Sequence, residues 1–283
     1  MKFSATSVML PHLDLPQTCA LLRELGYDGI ELRVRPFPAE RMNEEPSSWG
    51  RHLTNVSPEN VLERADEVKA ILQEYGLGIP GFASSAQASD LEDVKLLCAG
   101  ANALGSPAIR LGCPGYRGQE NYNVLYEQAL KDLGAALEIT RAHHVKVWIE
   151  MHGGTLHPSA SLAHRIASNF DASDIGVIYD PQNMVKDGFE TIQLAIELLG
   201  DYLAHVHIGA HAPSPGERDE NGTVKWNWSG CPLSDGLYSM PGLFECLEQV
   251  GYDGYVSIED FRGDLTPEQR LAEAREYLRK IVG

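Results

Sequence analysis

Four side chains able to bind a cation, Glu150, Asp180, His207 and Glu259, each lie at the end of a short apolar run that reads as a β-strand. The runs are Val145 to Glu150, Ile175 to Asp180, Leu203 to His207 and Tyr255 to Glu259. Three carboxylates and one imidazole suit a hard or borderline dication, because oxygen donors with one nitrogen match Mn²⁺, Mg²⁺, Fe²⁺, Co²⁺ or Zn²⁺. An acidic residue at a strand end is ordinarily a turn or capping group. Three carboxylates converging with an imidazole on one mouth would repel one another strongly unless a cation lay between them. The pattern therefore predicts a metal centre made of Glu150, Asp180, His207 and Glu259.

Neighbouring residues extend the site by strand alternation. His205 and His207 share one side of their strand; the outermost, His207, is expected at the metal and His205 in a hydrogen-bonded layer beneath it. His152 stands two residues beyond Glu150, where an imidazole can act as base or acid near neutral pH or orient a carboxylate. Glu31, Arg33 and Arg35 also share a side. Glu31 is expected to pair with an arginine, and Arg35 to reach substrate hydroxyls or a carboxylate. Asn183, three residues after Asp180, is either a substrate hydrogen-bond donor or a turn residue.

Strand-like and helix-like segments alternate along all 283 residues. Strands are expected near 3–7, 29–33, 77–83, 108–112, 145–150, 175–180, 203–208 and 255–259. Helices are expected over 16–25, 58–75, 91–104, 122–143, 159–169, 190–199, 241–250 and 267–281. Eight strand-helix pairs predict a (β/α)₈ TIM barrel, one domain spanning 1–283. Ser57-Pro58 and Thr266-Pro267 place a capping hydroxyl before a first-turn proline, and Gln269 completes a capping box. Two segments exceed simple connections, 35–55 and 211–239, and loops after strands line the active-site face of a barrel. The second carries Arg218, Trp226 and Trp228, suited to closing over a sugar-like ring or to an oligomer contact.

A net charge of −17 from 40 acidic and 23 basic residues argues against nucleic-acid or anionic-membrane partners. The five cysteines have no paired spacing and read as buried free thiols. No apolar run approaches a membrane span and the N-terminus lacks an apolar signal core, so a soluble cytoplasmic protein is expected. No glycine-rich phosphate cradle precedes a helix, and the few basic residues near the mouth (Arg35, Arg218, Lys186) suggest a neutral substrate rather than a sugar phosphate.

Five segments together resemble the xylose-isomerase-like barrels of the sugar isomerase/epimerase superfamily, which also includes endonuclease IV-type nucleases. They are Gly26-Tyr27-Asp28-Gly29-Ile30-Glu31-Leu32-Arg33, Trp148 to Gly154, Ile178 to Asn183, His205-Val206-His207 and Gly251 to Glu259. The resemblance implies one divalent ion, expected to be Mn²⁺, on Glu150, Asp180, His207 and Glu259, with Glu150 and Glu259 doubling as proton carriers. It departs from the ketose 3-epimerases at Asn183, where they often place a histidine. An arginine expected soon after the strand-seven histidine is replaced in its neighbourhood by Pro213, leaving Arg218 as a substitute. The Glu-x-His arrangement is similar to the metal-bearing subunit of C-glycoside deglycosidases.

The implied activity is isomerisation or epimerisation of a sugar or keto-sugar through an enediolate, with Glu150, Glu259 or His152 as the base. The alternative is a lyase that cleaves 3-oxo-glycosides by elimination. More remote readings are an endonuclease IV-like nuclease, whose extra ligands from strands three and four are missing here, and a non-catalytic sugar-binding barrel. Expected partners are a small carbohydrate or keto-glycoside and further copies of the chain in a homo-oligomer, with a small partner subunit left open.

Overall fold

In the computed structural model, which describes residues 1–282, parallel strands close into a barrel ringed by helices. β1 (Lys2–Thr6), β2 (Gly29–Val34), β3 (Phe82–Ser84), β4 (Ala108–Arg110), β5 (Lys146–Glu150), β6 (Ile175–Tyr179) and β7 (Leu203–Ile208) follow one another around it. After an antiparallel pair outside the barrel, β8 (His211–Arg218) and β9 (Val224–Gly230), β10 (Tyr255–Ile258) closes the sheet between β7 and β1. The (β/α)₈ architecture is thus the one the strand-helix alternation predicts. Parallel strands covered by helices are shielded on both faces, which is why β2 and β6 are buried along their whole length.

The helices are α1 (Leu15–Leu25), α2 (Ala65–Tyr75), α3 (Leu91–Leu104), α4 (Tyr122–Ala142), α5 (Ala160–Ala167), α6 (Pro181–Asp187), α7 (Ile192–Leu199), α8 (Met240–Gln249) and α9 (Pro267–Val282). On α9 the stripe Leu271, Ala274 and Leu278 is buried against the barrel. Its N-terminus has the predicted capping box: the Thr266 amide donates to Gln269 Oε1 at 3.0 Å, and the Gln269 amide to Thr266 Oγ1 at 3.3 Å. The Tyr27 hydroxyl donates to the Leu271 carbonyl at 2.9 Å, tying the last helix to the chain before β2.

Several elements differ from the sequence expectation. Helix α2 begins at Ala65, not Pro58; residues 58–64 form turns, in which the Asn60 side chain accepts from the Ser57 amide. The third strand is confined to residues 82–84, because Pro80 lacks a donor and Gly81 lies against the Trp148 ring, where a Cβ would overlap the indole. Helix α6 directly follows Asp180, and the segment 211–239 contains the β8–β9 ribbon. All five cysteines are free, but only Cys19, Cys98 and Cys113 are buried. Among the described residues no helix is long and apolar enough to cross a membrane.

Leu271 is fully buried, so Leu271→Ala should lower unfolding free energy by about 2–5 kcal/mol, read by urea denaturation. A smaller loss would mean that α9 does not clamp the barrel.

Candidate active site

Strand ends β5, β6, β7 and β10 bring Glu150, Asp180, His207 and Glu259 together, with one ligand-type atom from each within 4.8 Å of all the others. His207 Nδ1 lies 3.3 Å from Glu150 Oε1, 3.3 Å from Glu259 Oε2 and 4.0 Å from Asp180 Oδ2. On the other side of the ring, His207 Nε2 is 2.9 Å from Glu31 Oε2. A carboxylate only accepts, so Nε2 donates and the neutral ring carries its lone pair on Nδ1, directed at three carboxylates. Nδ1 is buried without a hydrogen-bond partner. Either a proton or a metal ion must occupy that position, and three oxygens plus one imidazole nitrogen fit a divalent ion.

Glu31 departs from its expected arginine partner. It receives both His207 and His205, the latter at 3.1 Å, while the buried Arg33 donates to the Gly50 carbonyl at 3.0 Å. His205 takes the layer position predicted for it, within 3.0 Å of Ser257 Oγ and stacked on Trp148 with 4.7 Å between ring centroids.

The electrostatics follow from burial and crowding. Burial pushes the Asp180 carboxyl up to about 8, with Glu150 adding to the effect. Burial alone would raise Glu150 as well, but Arg110, ion-paired with it, and His207 hold it well below the usual carboxylate range. Burial works against a charged His207, yet Glu31 and Glu259 outweigh it and raise its pKa well above the ordinary value of 6.5. Asp180 also caps α6: its Oδ1 accepts from the Asn183 amide at 3.0 Å and its Oδ2 from Asn183 Nδ2 at 2.5 Å. Asn183 is therefore a first-turn helix residue whose side chain orients Asp180. Gly209, just past β7, has no Cβ to collide with the Gln182 amide beside it.

Two adjoining cavities open over the cluster. The first, about 300 Å³, is lined by Arg35, Trp49, Gln87, Arg110, His152 and His157 together with Glu150 and Glu259. The second, about 170 Å³, shares Trp49, His152 and Glu259 and adds Gln182, Asn183 and His211. A larger cavity of about 650 Å³ opens at the opposite ends of the strands beside Lys146, Leu203 and Tyr255, away from the carboxylates. His152 is exposed at the rim; its Nδ1 donates to the Gly153 carbonyl at 2.7 Å, which leaves the Nε2 lone pair free in the neutral ring.

The structure does not bring Arg218 and Trp226 to these cavities. Arg218 sits near the turn of the ribbon with its guanidinium on the Gly222 carbonyl at 2.5 Å, and Trp226 is 58% exposed opposite Pro215. The tryptophan at the mouth is Trp49, from the first long loop, 5.0 Å from the Phe261 ring and 5.8 Å from the Arg35 guanidinium. Sequence reasoning missed Trp49, Arg110, His157 and Gln182. Arg110 ends β4 as Glu150 ends β5, and that parallel was the available signal; for α6 it was Asp180 followed by Pro181.

A closed parallel barrel with a buried carboxylate-imidazole cluster at the C-terminal ends of its strands defines the class. The chain belongs to the xylose isomerase-like TIM barrel family, whose model matches residues 19–281. No curated protein matches the sequence. The fold is similar to 3-keto-D-glucoside 4-epimerase YcjR from E. coli, with a TM-score of 0.73, 16% identity and 99% of each chain covered. It is also similar to D-allulose 3-epimerase from Methylomonas sp., with a TM-score of 0.73, 14% identity, and 99% of this chain and 97% of that one covered. The IOLI protein with a bound zinc atom gives a TM-score of 0.73 at 16% identity, covering 100% and 98%.

Asp180 and His207 hold their protons more tightly folded than unfolded, so the folded state binds more protons. Their contribution to stability is complete at low pH and is lost as pH rises through about 8 and above. Burial lowers His52, His157 and His211 to about 4, and their opposing effect ends near the ordinary histidine value of 6.5. Chelator-treated protein should therefore melt at progressively lower temperature above pH 6.5, and Asp180→Asn should flatten that slope. A flat or rising profile in calorimetry would contradict the crowded-carboxylate account.

Proposed function

We propose that the chain is a divalent-metal-dependent isomerase or epimerase of sugars or keto-sugars, working by proton transfer at a carbon next to a carbonyl. The observation that carries this reading is the buried Nδ1 lone pair of His207 directed at three carboxylates beneath a polar cavity. Glu150, Asp180, His207 and Glu259 would hold the ion. The oxygen-rich donor set suits Mn²⁺, with Mg²⁺, Co²⁺, Fe²⁺ and Zn²⁺ as alternatives; the zinc in the similarly folded IOLI protein fits the same reading. A dication bound there supplies Lewis-acid stabilisation of the charge that develops on a carbonyl and its neighbouring hydroxyl.

The residues divide the remaining work. Glu150 is kept ionised and weakly basic by Arg110, which favours it as a ligand and orienting group. Glu259 faces the same cavity and makes its ion-pair contact with His207 alone, so it is the assigned base. His152, with a free Nε2 at the rim, returns or relays the proton. Glu31 fixes the His207 ring and its tautomer from below. Trp49 lines both cavities. The substrates named for YcjR and the allulose epimerase, a 3-keto-glucoside and a ketose, are the two classes to test.

Elimination is the second reading, favoured by the placement of His152 where an imidazole can protonate a leaving group. Incubation in deuterated water with ketoses and 3-oxo-glycosides separates the two: deuterium uptake without aglycone release supports isomerisation or epimerisation. Glu259→Gln should lower the exchange rate about 10²- to 10⁴-fold at saturating Mn²⁺. Exhaustive chelation should abolish exchange and added Mn²⁺ restore it; exchange that survives chelation would refute metal dependence. Glu31→Gln should weaken Mn²⁺ binding about 10- to 100-fold, measured by titration calorimetry, because the His207 ring loses its orienting acceptor.

A further inference from the structure

The acidic cluster has a cationic counterpart on the opposite wall of the mouth. Arg33 and Arg35 come from the end of β2, and Arg110 ends β4. Arg110 is engaged by Glu150. Arg33 donates to the Gly50 carbonyl, and Arg35 uses only its Nε, at 3.2 Å from the Ala83 carbonyl. Among the described residues no carboxylate lies within 4.0 Å of Arg33 or Arg35; Glu259 and Glu150 act on Arg35 only from farther away. Arg35 lines the 300 Å³ cavity beside Glu150 and Glu259, and Trp49 lies alongside its guanidinium.

Charge balance makes this arrangement informative. When ionised, Glu31, Glu150, Asp180 and Glu259 are offset almost completely by Arg33, Arg35 and Arg110, and a dication then leaves one positive charge over. Farther out, Arg262 is held by Asp260, Asp264 and Glu273, and Lys186 contacts His211. The −17 of the whole chain acts from its surface and is screened beyond about 8–10 Å at ordinary salt, so it does not reverse the local sign.

We propose that the substrate is an anionic keto-sugar, a sugar acid whose carboxylate seats on Arg35 while its carbonyl end faces Glu150 and Glu259. This deepens the proton-transfer reading and rests on it. A planar guanidinium fork with its Nη groups unpaired matches a planar carboxylate, whereas a phosphate dianion would call for further cations that Arg110 is not free to supply. Hydroxyls have partners lining the same cavity: Gln87, Ser85 and the buried His157, whose Nε2 has none within the protein. The cavity volume is at the small end for ligand sites, in keeping with a single sugar ring.

The test titrates Mn²⁺-loaded protein calorimetrically with D-glucuronate and D-galacturonate, with D-glucose and D-galactose as neutral counterparts, and with glucose 6-phosphate. At least one acid should bind about 10- to 100-fold more tightly than its neutral counterpart. Arg35→Gln should reduce that preference to within about twofold and Arg35→Lys retain part of it, with melting temperatures confirming that both variants fold. Equal binding of acids and neutral sugars, or a preference unmoved in Arg35→Gln, overturns the proposal; tighter binding of glucose 6-phosphate than of either acid overturns the carboxylate assignment. Deuterium exchange reports separately on the parent reading. Exchange into neutral ketoses without acid preference sinks only the anion site, and Arg35-dependent acid binding without exchange into any ketose or keto acid sinks only proton transfer.

Discussion

The lone pair of His207 Nδ1 is the constraint on which the rest of this molecule depends. Glu31 accepts the hydrogen bond from the far nitrogen at 2.9 Å, so in the neutral ring the near nitrogen faces Glu150, Asp180 and Glu259 as an acceptor among acceptors. Such an arrangement is unfavourable in a site where Asp180 and His207 are almost completely shielded from water. It becomes favourable when a cation occupies the common focus. The raised proton affinities of Asp180 and His207 come from burial and from the same crowding of carboxylates. An ion bound there would have to displace those protons, which would couple its binding to pH.

The barrel converts that local requirement into a divided mouth. Consecutive strands β5, β6, β7 and β10 present the acidic wall, and β2 and β4 present the arginines. Each wall tempers the other: Arg110 keeps Glu150 ionised, and Arg35 places a second guanidinium in the cavity beside Glu150 and Glu259. Asp180 serves two structures at once, closing β6 at the cluster and capping α6 through the Asn183 amide. A substitution there would therefore disturb both the charge balance and the start of a helix. Support from beneath is equally specific, since Glu31, His205, Ser257 and Trp148 form a connected layer inside the barrel.

The sequence placed Arg35, Arg218 and Lys186 near the mouth, and that set changed when the strands closed. Arg218, assigned to the mouth by its place in a long loop, is carried away by the β8–β9 ribbon. Arg110, which had no recognised partner, turned out to face Glu150 across adjacent strands. The same exchange happened among the tryptophans. Both Trp226 and Trp49 are exposed, but Trp226 lies on the ribbon, whereas Trp49, from the segment after β2, lines both cavities.

By itself the sequence determined the barrel and the four residues that converge at its mouth. Both are written in local periodicity: apolar runs of strand length specify buried parallel strands, and a polar residue at the end of each run can only emerge at the mouth. His205 could be placed below His207 for the same reason. Tertiary structure alone decided the partners of Glu31, the pairing of Arg110 with Glu150, the position of Trp49 over the cavity, and the start of α2 at Ala65. Those outcomes depend on the shear of the closed barrel and on the paths of long loops, which bring residues tens of positions apart into contact and which no repeat of two or 3.6 residues encodes.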